Sequence, residues 1–121
     1  MTINSHKDLI VWQKGIELSK QIYLLTSKFP REEIYGITSQ MRRAAVSIPS
    51  NIAEGRSRGT KKDFIQFLRI ALGSASELET QIEIAKSLPM TRGYSFEEVD
   101  ILLSEVSRMT MGMIKKLSIN S

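Results

Sequence analysis

The stretch with the clearest chemical character is GRSRGTKK, residues 55–62, which directly follows Glu54. It combines two glycines with four basic side chains beside the predicted start of a helix, where free backbone N–H groups favour an anion. It lacks the Gly-x-x-x-x-Gly-Lys-Ser/Thr spacing of a Walker loop, and no strand is predicted before it. Two interpretations therefore stay open, a seat for phosphate groups and a solvated charged turn.

The basic residues are concentrated in the middle of the chain. The net charge is +4, yet residues 1–39 carry +1, residues 40–69 carry +5 and residues 70–121 carry −2. Outside the turn, the excess is extended along the flanking helices by Arg42, Arg43 and Arg69. Clustered basic residues of this kind favour a surface that binds a polyanion.

Residue types that serve catalysis or metal binding are scarce. The chain has no cysteine and a single histidine, His6, which argues against a nucleophile paired with a base. The acids Glu77, Glu79 and Glu83 lack the Glu-x-x-His spacing of carboxylate metal sites in bundles. Glu54 is interpreted as half of a structural ion pair, with a catalytic carboxylate as the alternative. We expect no enzyme activity, catalytic residue, metal, cofactor or small-molecule substrate.

Helices must position these residues, because apolar side chains recur every three or four residues along most of the chain. The pattern predicts helices over about residues 8–28, 32–55, 61–88 and 96–117. Short connections between them predict an antiparallel up-down-up-down four-helix bundle, a single all-α domain over residues 1–121. Without cysteines, a signal-like segment or a membrane-length apolar run, the chain is expected to be cytoplasmic and to have no membrane contact.

The segment SIPSNIAEG, residues 47–55, places Pro49 inside the second predicted helix. Apolar residues keep helical spacing on both sides of the proline. We therefore expect a continuous helix that is kinked near Pro49 and ends at Gly55. The kink should aim Asn51 and Glu54 at the start of the third helix, where they would hydrogen-bond the turn. These four residues are predicted to form a structural motif.

The first predicted helix carries two apolar stripes, although one would suffice for a bundle core. The second stripe is either part of a wide buried face or a surface for a partner. Soluble monomers seldom expose large apolar patches, so we predict that this stripe is the interface of a homo-oligomer. Its members are Leu9, Trp12, Ile16 and Tyr23. Four residues off the core stripe of the third helix are also expected to face a neighbour: Ile65, Ile70, Leu72 and Ile84.

Three segments together resemble a known family. They are LIVWQKGIELSKQIY, FPREEIYGITSQMRRAAVSIPSNIAEG and FIQFLRIALGSASELETQIEIA. Across residues 8–88 the chain resembles the four-helix bundle proteins encoded in intervening sequences of bacterial 23S ribosomal RNA genes, a family also labelled S23 ribosomal protein. The segment SIPSNIAEG is the most specific part of this resemblance.

The resemblance implies a protein without established enzymatic activity. It also implies a relationship to the accessory variability determinant of diversity-generating retroelements, a basic pentamer that binds nucleic acid and works with a reverse transcriptase. By that likeness, the chain would form a homopentamer, with RNA or DNA and a reverse transcriptase as partners. The implied nucleic-acid-binding residues are Arg42, Arg43, Arg56, Arg58, Lys61 and Lys62. The alternative function is a protein-interaction scaffold that binds no nucleic acid.

Overall fold

The computed structural model describes residues 5–119, which fold into four long helices and contain no strand. The helices are α1 (Ile10–Thr26), α2 (Ile37–Ser57), α3 (Lys61–Ser87) and α4 (Glu97–Ile119). Short 3-10 turns occupy His6–Asp8, Arg31–Glu33 and Pro89–Thr91. Each helix packs against the next one in the chain, and α1 also packs against α4. This arrangement confirms the predicted four-helix bundle.

The core lies where the apolar stripes of the four helices face one another. Every helix contributes side chains that are almost completely buried, including Leu18, Ile22, Met41, Ile48, Ile52, Leu68, Leu78, Ile82 and Val106. Because these stripes follow the 3.6-residue period of an α-helix, the sequence pattern alone identifies most of the buried face.

Ion pairs connect neighbouring helices at the surface of the bundle. Lys86 of α3 donates a 2.7 Å hydrogen bond to Asp100 of α4, and this bond raises the pKa of the Lys86 ammonium. Lys14 of α1 pairs with Glu105 of α4 at 3.0 Å. Both pairs are partly exposed to solvent, so each contributes little to the free energy of unfolding. The packing of the helices depends mainly on the apolar core.

Leu9 is a correction to the predicted interface. The α-helix begins only at Ile10, and the preceding 3-10 turn directs Leu9 into the core of its own chain, where it is 8% exposed. Its side chain therefore does not follow the helical phase from which the second stripe was inferred. Ile65 and Leu72 were also expected to face a neighbour; they are half-buried against the core, as Trp12 is, and that expectation stays a prediction.

Candidate functional site

The basic turn between α2 and α3 is shorter than the sequence pattern suggested. The second helix does not end at Gly55 as predicted, because it continues to Ser57 and leaves Arg58, Gly59 and Thr60 as the connection. Gly59 has a φ of +86°, a conformation that favours glycine and that reverses the chain here. The Thr60 hydroxyl then accepts a hydrogen bond from the N–H of Asp63 at 3.1 Å and caps α3.

Gly55 has a different role from the helix end that was predicted for it. It is buried, and a Cβ atom added there would lie 2.5 Å from Cβ of Phe67 and 3.3 Å from Cδ1 of Phe64. Only a residue without a side chain permits this approach of α2 to α3. The contact therefore fixes the two helix ends that carry the basic turn.

Arg58 is partly occupied by contacts within the chain. Its Nε donates to Glu54 Oε2 at 2.9 Å, and its guanidinium lies 5.0 Å from the ring centre of Phe67. The structure thus places Glu54 in the ion pair that was the first interpretation of this residue. The side chains of Glu54 and Arg58 are still about half exposed, so this pair leaves part of the arginine accessible.

The other cations of the turn lie at the start of α3 and the end of α2. Lys61 and Lys62 are exposed, and Arg56 is half-buried. Arg69 lies seven residues after Lys62 on the same helical face and is also exposed. Lys62 and Arg69 line a shallow surface pocket of about 430 Å³.

Arg42 and Arg43 do not join this cluster. They precede Arg56 by 14 and 13 residues on one helix, which places them about 20 Å away along its axis. Arg42 Nε donates to the Thr26 hydroxyl at 2.9 Å, and its guanidinium stacks 4.6 Å from the ring centre of Tyr23. Arg43 is exposed. The six residues implied by the family resemblance thus form two separate groups.

An open concave groove lies between α1 and α2, here called the α1–α2 groove, and it has a volume of about 770 Å³. Trp12, Ile16 and Tyr23 line its α1 side, so three of the four predicted interface residues share one surface. Other lining residues include Ser19, Lys20, Leu24, Arg42, Val46 and Pro49. The groove is mainly apolar, with two cationic side chains, those of Lys20 and Arg42, among its walls.

Pro49 lies at the base of this groove, and α2 is continuous through it, as the unbroken apolar spacing predicted. The kink itself stays a prediction. A proline has no N–H to donate to the carbonyl of Ala45, four residues earlier. The Ser19 hydroxyl of α1 lies 3.2 Å from that carbonyl and 3.0 Å from the carbonyl of Gly15, so it can donate to either. A side chain from the neighbouring helix thus satisfies the acceptor that the proline leaves without its usual donor.

Gly15 completes this contact between α1 and α2. A Cβ atom at Gly15 would lie 3.3 Å from Cβ and 3.4 Å from Cδ of Pro49, so the proline ring packs directly on the glycine backbone. Sequence reasoning missed Gly15 and Ser19. The sequence does show that both residues lie on one side of α1, four residues apart. It does not show that this side of α1 packs against Pro49, and that contact is what makes the two residues important.

The predicted hydrogen bond of Asn51 to the turn is wrong, whereas Glu54 does bond the turn, because it accepts from Arg58. The amide of Asn51 donates to the carbonyl and hydroxyl of Ser47, at 2.8 and 2.9 Å, within its own helix. Glu54 pairs with Arg58 of the same segment. The connection to α3 runs instead through a 2.8 Å hydrogen bond between the hydroxyls of Ser47 and Ser74. An asparagine four residues after a serine can bond locally, and this contact prevails here.

Two further findings concern the types of site that the chain could contain. In the described part of the chain, no three histidine, aspartate or glutamate side chains are grouped closely enough to hold a metal ion. Over residues 5–119, none of the helices combines the length and the apolar character needed to span a membrane.

Comparisons with known proteins match this fold to a family. The model of the family described as 23S rRNA-intervening sequence protein matches residues 7–112. A solved structure from Bacteroides thetaiotaomicron, of a protein with unknown function from the S23 ribosomal protein family, is 25% identical with a TM-score of 0.71. The alignment covers 88% of this chain and 99% of that one. No curated protein matches the chain. The chain belongs to the family of 23S rRNA-intervening sequence proteins.

Proposed function

We propose that the protein is a non-enzymatic module that assembles with copies of itself and binds RNA or DNA through the α2–α3 turn. The observation that carries this proposal is the group of cations around the N-terminus of α3. Lys61, Lys62 and Arg69 are exposed there, and Arg58 is partly accessible. Residues 54–69, which exclude the separate pair Arg42 and Arg43, hold five basic and two acidic side chains and so carry a net charge of +3. Phosphate groups suit such a surface because they contact cationic side chains and free N–H groups together.

A single turn offers few phosphate contacts, since Arg58 already pairs with Glu54. Assembly into an oligomer would increase the number of phosphate contacts. Several turns on one oligomer would engage neighbouring phosphates of the same nucleic acid, and the first contact raises the effective concentration of the next. Assembly and nucleic-acid binding are therefore linked in this proposal.

The test measures binding of a labelled duplex DNA and a labelled structured RNA by fluorescence anisotropy at two salt concentrations. The logarithm of affinity for the duplex should fall against the logarithm of salt with a slope of about 0.9 per phosphate engaged. The double variant Lys62→Ala/Arg69→Ala should weaken binding and lower the slope by about 1 for each cation removed. Both side chains are exposed, so the fold should be retained.

The matched control removes two exposed cations from loops at the opposite end of the bundle, as Arg31→Ala/Arg92→Ala. This variant loses the same total charge but should keep the salt dependence of the wild type. Absence of binding at low salt, or an equal loss in both double variants, would refute binding through the turn.

A protein-interaction scaffold is the second candidate, and the α1–α2 groove favours it. Trp12, Ile16 and Tyr23 give this surface the aromatic and aliphatic side chains that are enriched at protein interfaces. If the purified protein carries no nucleic acid and binds neither probe, while it still forms an oligomer, the scaffold becomes the better description.

A further inference from the structure

Arg42 lies at one end of the α1–α2 groove, and its side chain is held in a fixed direction. Its Nε donates to the Thr26 hydroxyl at 2.9 Å, and that hydroxyl donates to the carbonyl of Ile22 at 2.7 Å. The guanidinium also stacks on the ring of Tyr23. Over residues 5–119, the hydrogen bonds of this side chain use Nε alone, and no carboxylate lies within ion-pair distance. An anion in the groove can therefore accept from the terminal N–H groups of an arginine that is already positioned.

The groove has a cationic end and an apolar end. Tyr23 of α1 faces Arg42, whereas Gly15 faces Pro49, so the two helices run antiparallel along the groove. Lys20 lies one turn before Tyr23, its side chain is 67% exposed, and its one ion pair is long, at 3.9 Å. None of the described residues that line the groove is acidic. Toward the other end, the wall is formed mainly by apolar side chains: Trp12, Ile16, Pro49 and Ala53.

The dimensions of the groove fit one unbranched chain. Trp12 and Tyr23 are 11 residues apart on α1, which corresponds to about 16 Å. An extended chain advances roughly 3.5 Å for every three bonds, so about 14 bonds cover this length. The volume of about 770 Å³ lies within the range of about 300–1,000 Å³ that is usual for ligand sites. At the apolar end, the His6 ring contacts Trp12 edge-on, with 5.1 Å between the ring centres.

A ligand that suits both ends has one anionic head and an apolar tail. The planar guanidinium of Arg42 matches a carboxylate, whose two oxygens can accept a pair of N–H bonds. Four of the apolar side chains that line the groove are more than a third exposed, namely Ile16, Tyr23, Leu24 and Val46. A tail laid over them removes apolar surface from water on both partners.

From this complementarity we propose that the α1–α2 groove binds a long-chain carboxylate, with the carboxylate on Arg42 and Lys20 and the tail extended toward Trp12. The inference goes beyond the proposed function, because none of these residues belongs to the basic turn. A bound chain would cover the stripe that was predicted to be an oligomer interface. The ligand and a second copy of the chain are therefore competing occupants of one surface.

The fluorescence of Trp12 tests this proposal, because it is the only tryptophan of the chain and it lines the groove. Sodium tetradecanoate, titrated below its micelle concentration, should shift the Trp12 emission to shorter wavelength and should saturate at one molecule per chain. Tetradecyltrimethylammonium has the same tail with a positive head, and it should bind at least about tenfold more weakly. Dodecanoate lacks two methylene groups, so its affinity should be about tenfold lower than that of tetradecanoate.

Two neighbouring arginines supply the variant and its matched control. Arg42→Gln removes the charge at the head and should weaken tetradecanoate binding by about tenfold, while the effect of tail length is kept. Arg43→Gln removes the same charge one residue away, from an exposed side chain that does not line the groove, and should bind as the wild type does. Circular dichroism checks the fold of both variants. Lys20→Gln, at an exposed position, tests the head a second time and should weaken binding in the same direction.

Several results would overturn the inference. They include equal affinity for the two amphiphiles of opposite charge and an equal loss in the two arginine variants. A Trp12 emission that depends on protein concentration but not on tetradecanoate would assign the groove to a second copy. Binding of an acidic amphipathic helical peptide, without binding of tetradecanoate, would assign it to a protein partner. Nucleic-acid binding is tested separately, since the Lys62→Ala/Arg69→Ala variant should bind tetradecanoate as the wild type does.

Discussion

Replacing Gly55 with alanine is expected to lower the free energy of unfolding by about 3 kcal/mol, at the upper end of the usual cost of overpacking a core. The added Cβ would lie 2.5 Å from Cβ of Phe67, which is much closer than two carbon atoms can approach. Phe67 cannot relieve this contact by changing its rotamer, because its Cβ is fixed to the backbone of α3. The two helices must therefore separate at the end that carries the basic turn.

Thermal unfolding followed by circular dichroism measures this effect, and the Tm should fall by about 10 °C for a chain of this size. The control is Gly112→Ala on α4, since nothing lies within 4 Å of a Cβ atom at Gly112. Alanine is a better helix former than glycine, so this control should raise stability by up to about 1 kcal/mol. If the two alanine variants melt alike, the close approach at Gly55 does not constrain the bundle.

The elements were predictable from the sequence because helical periodicity is a local property. The continuity of α2 through Pro49 is an example, since the apolar residues on both sides of the proline kept one phase. The end of the same helix was misplaced by two residues. A glycine near the end of an apolar pattern favours a helix terminus by the local rule, but Gly55 is needed for contact with α3. Only the tertiary structure separates these two uses of glycine.

The candidate site was harder to predict because its residues depend on which helices meet. Arg42 and Arg56 belong to one basic segment, yet the first stacks on Tyr23 of α1 and the second lies near the turn. Leu9 was assigned to an exposed stripe by extending the period of α1 beyond its first turn. The chain bends there, so the period no longer describes the direction of the side chain. Periodicity is informative only within the helix that produces it.

Replacing Ser19 with alanine is expected to destabilise the protein by about 2 kcal/mol, because it leaves the buried carbonyl of Ala45 without a donor. The proline is the reason for this cost. In the Pro49→Ala background, residue 49 regains an N–H that can donate to Ala45, so the loss of the Ser19 hydroxyl should matter less. We expect a coupling free energy of about 1 kcal/mol between the two substitutions in a double-mutant cycle.

Urea unfolding of the wild type, the two single variants and the double variant supplies the four free energies of this cycle. Ser27→Ala is a suitable control, since its hydroxyl is exposed and donates to Leu24 in the same helical segment. That substitution should change stability by no more than about 0.5 kcal/mol. An equal cost of Ser19→Ala with and without Pro49 would mean that the hydroxyl does not replace the missing N–H. The bond between α1 and α2 would then be incidental, and the conformation of SIPSNIAEG would have to depend on the packing of Pro49 against Gly15.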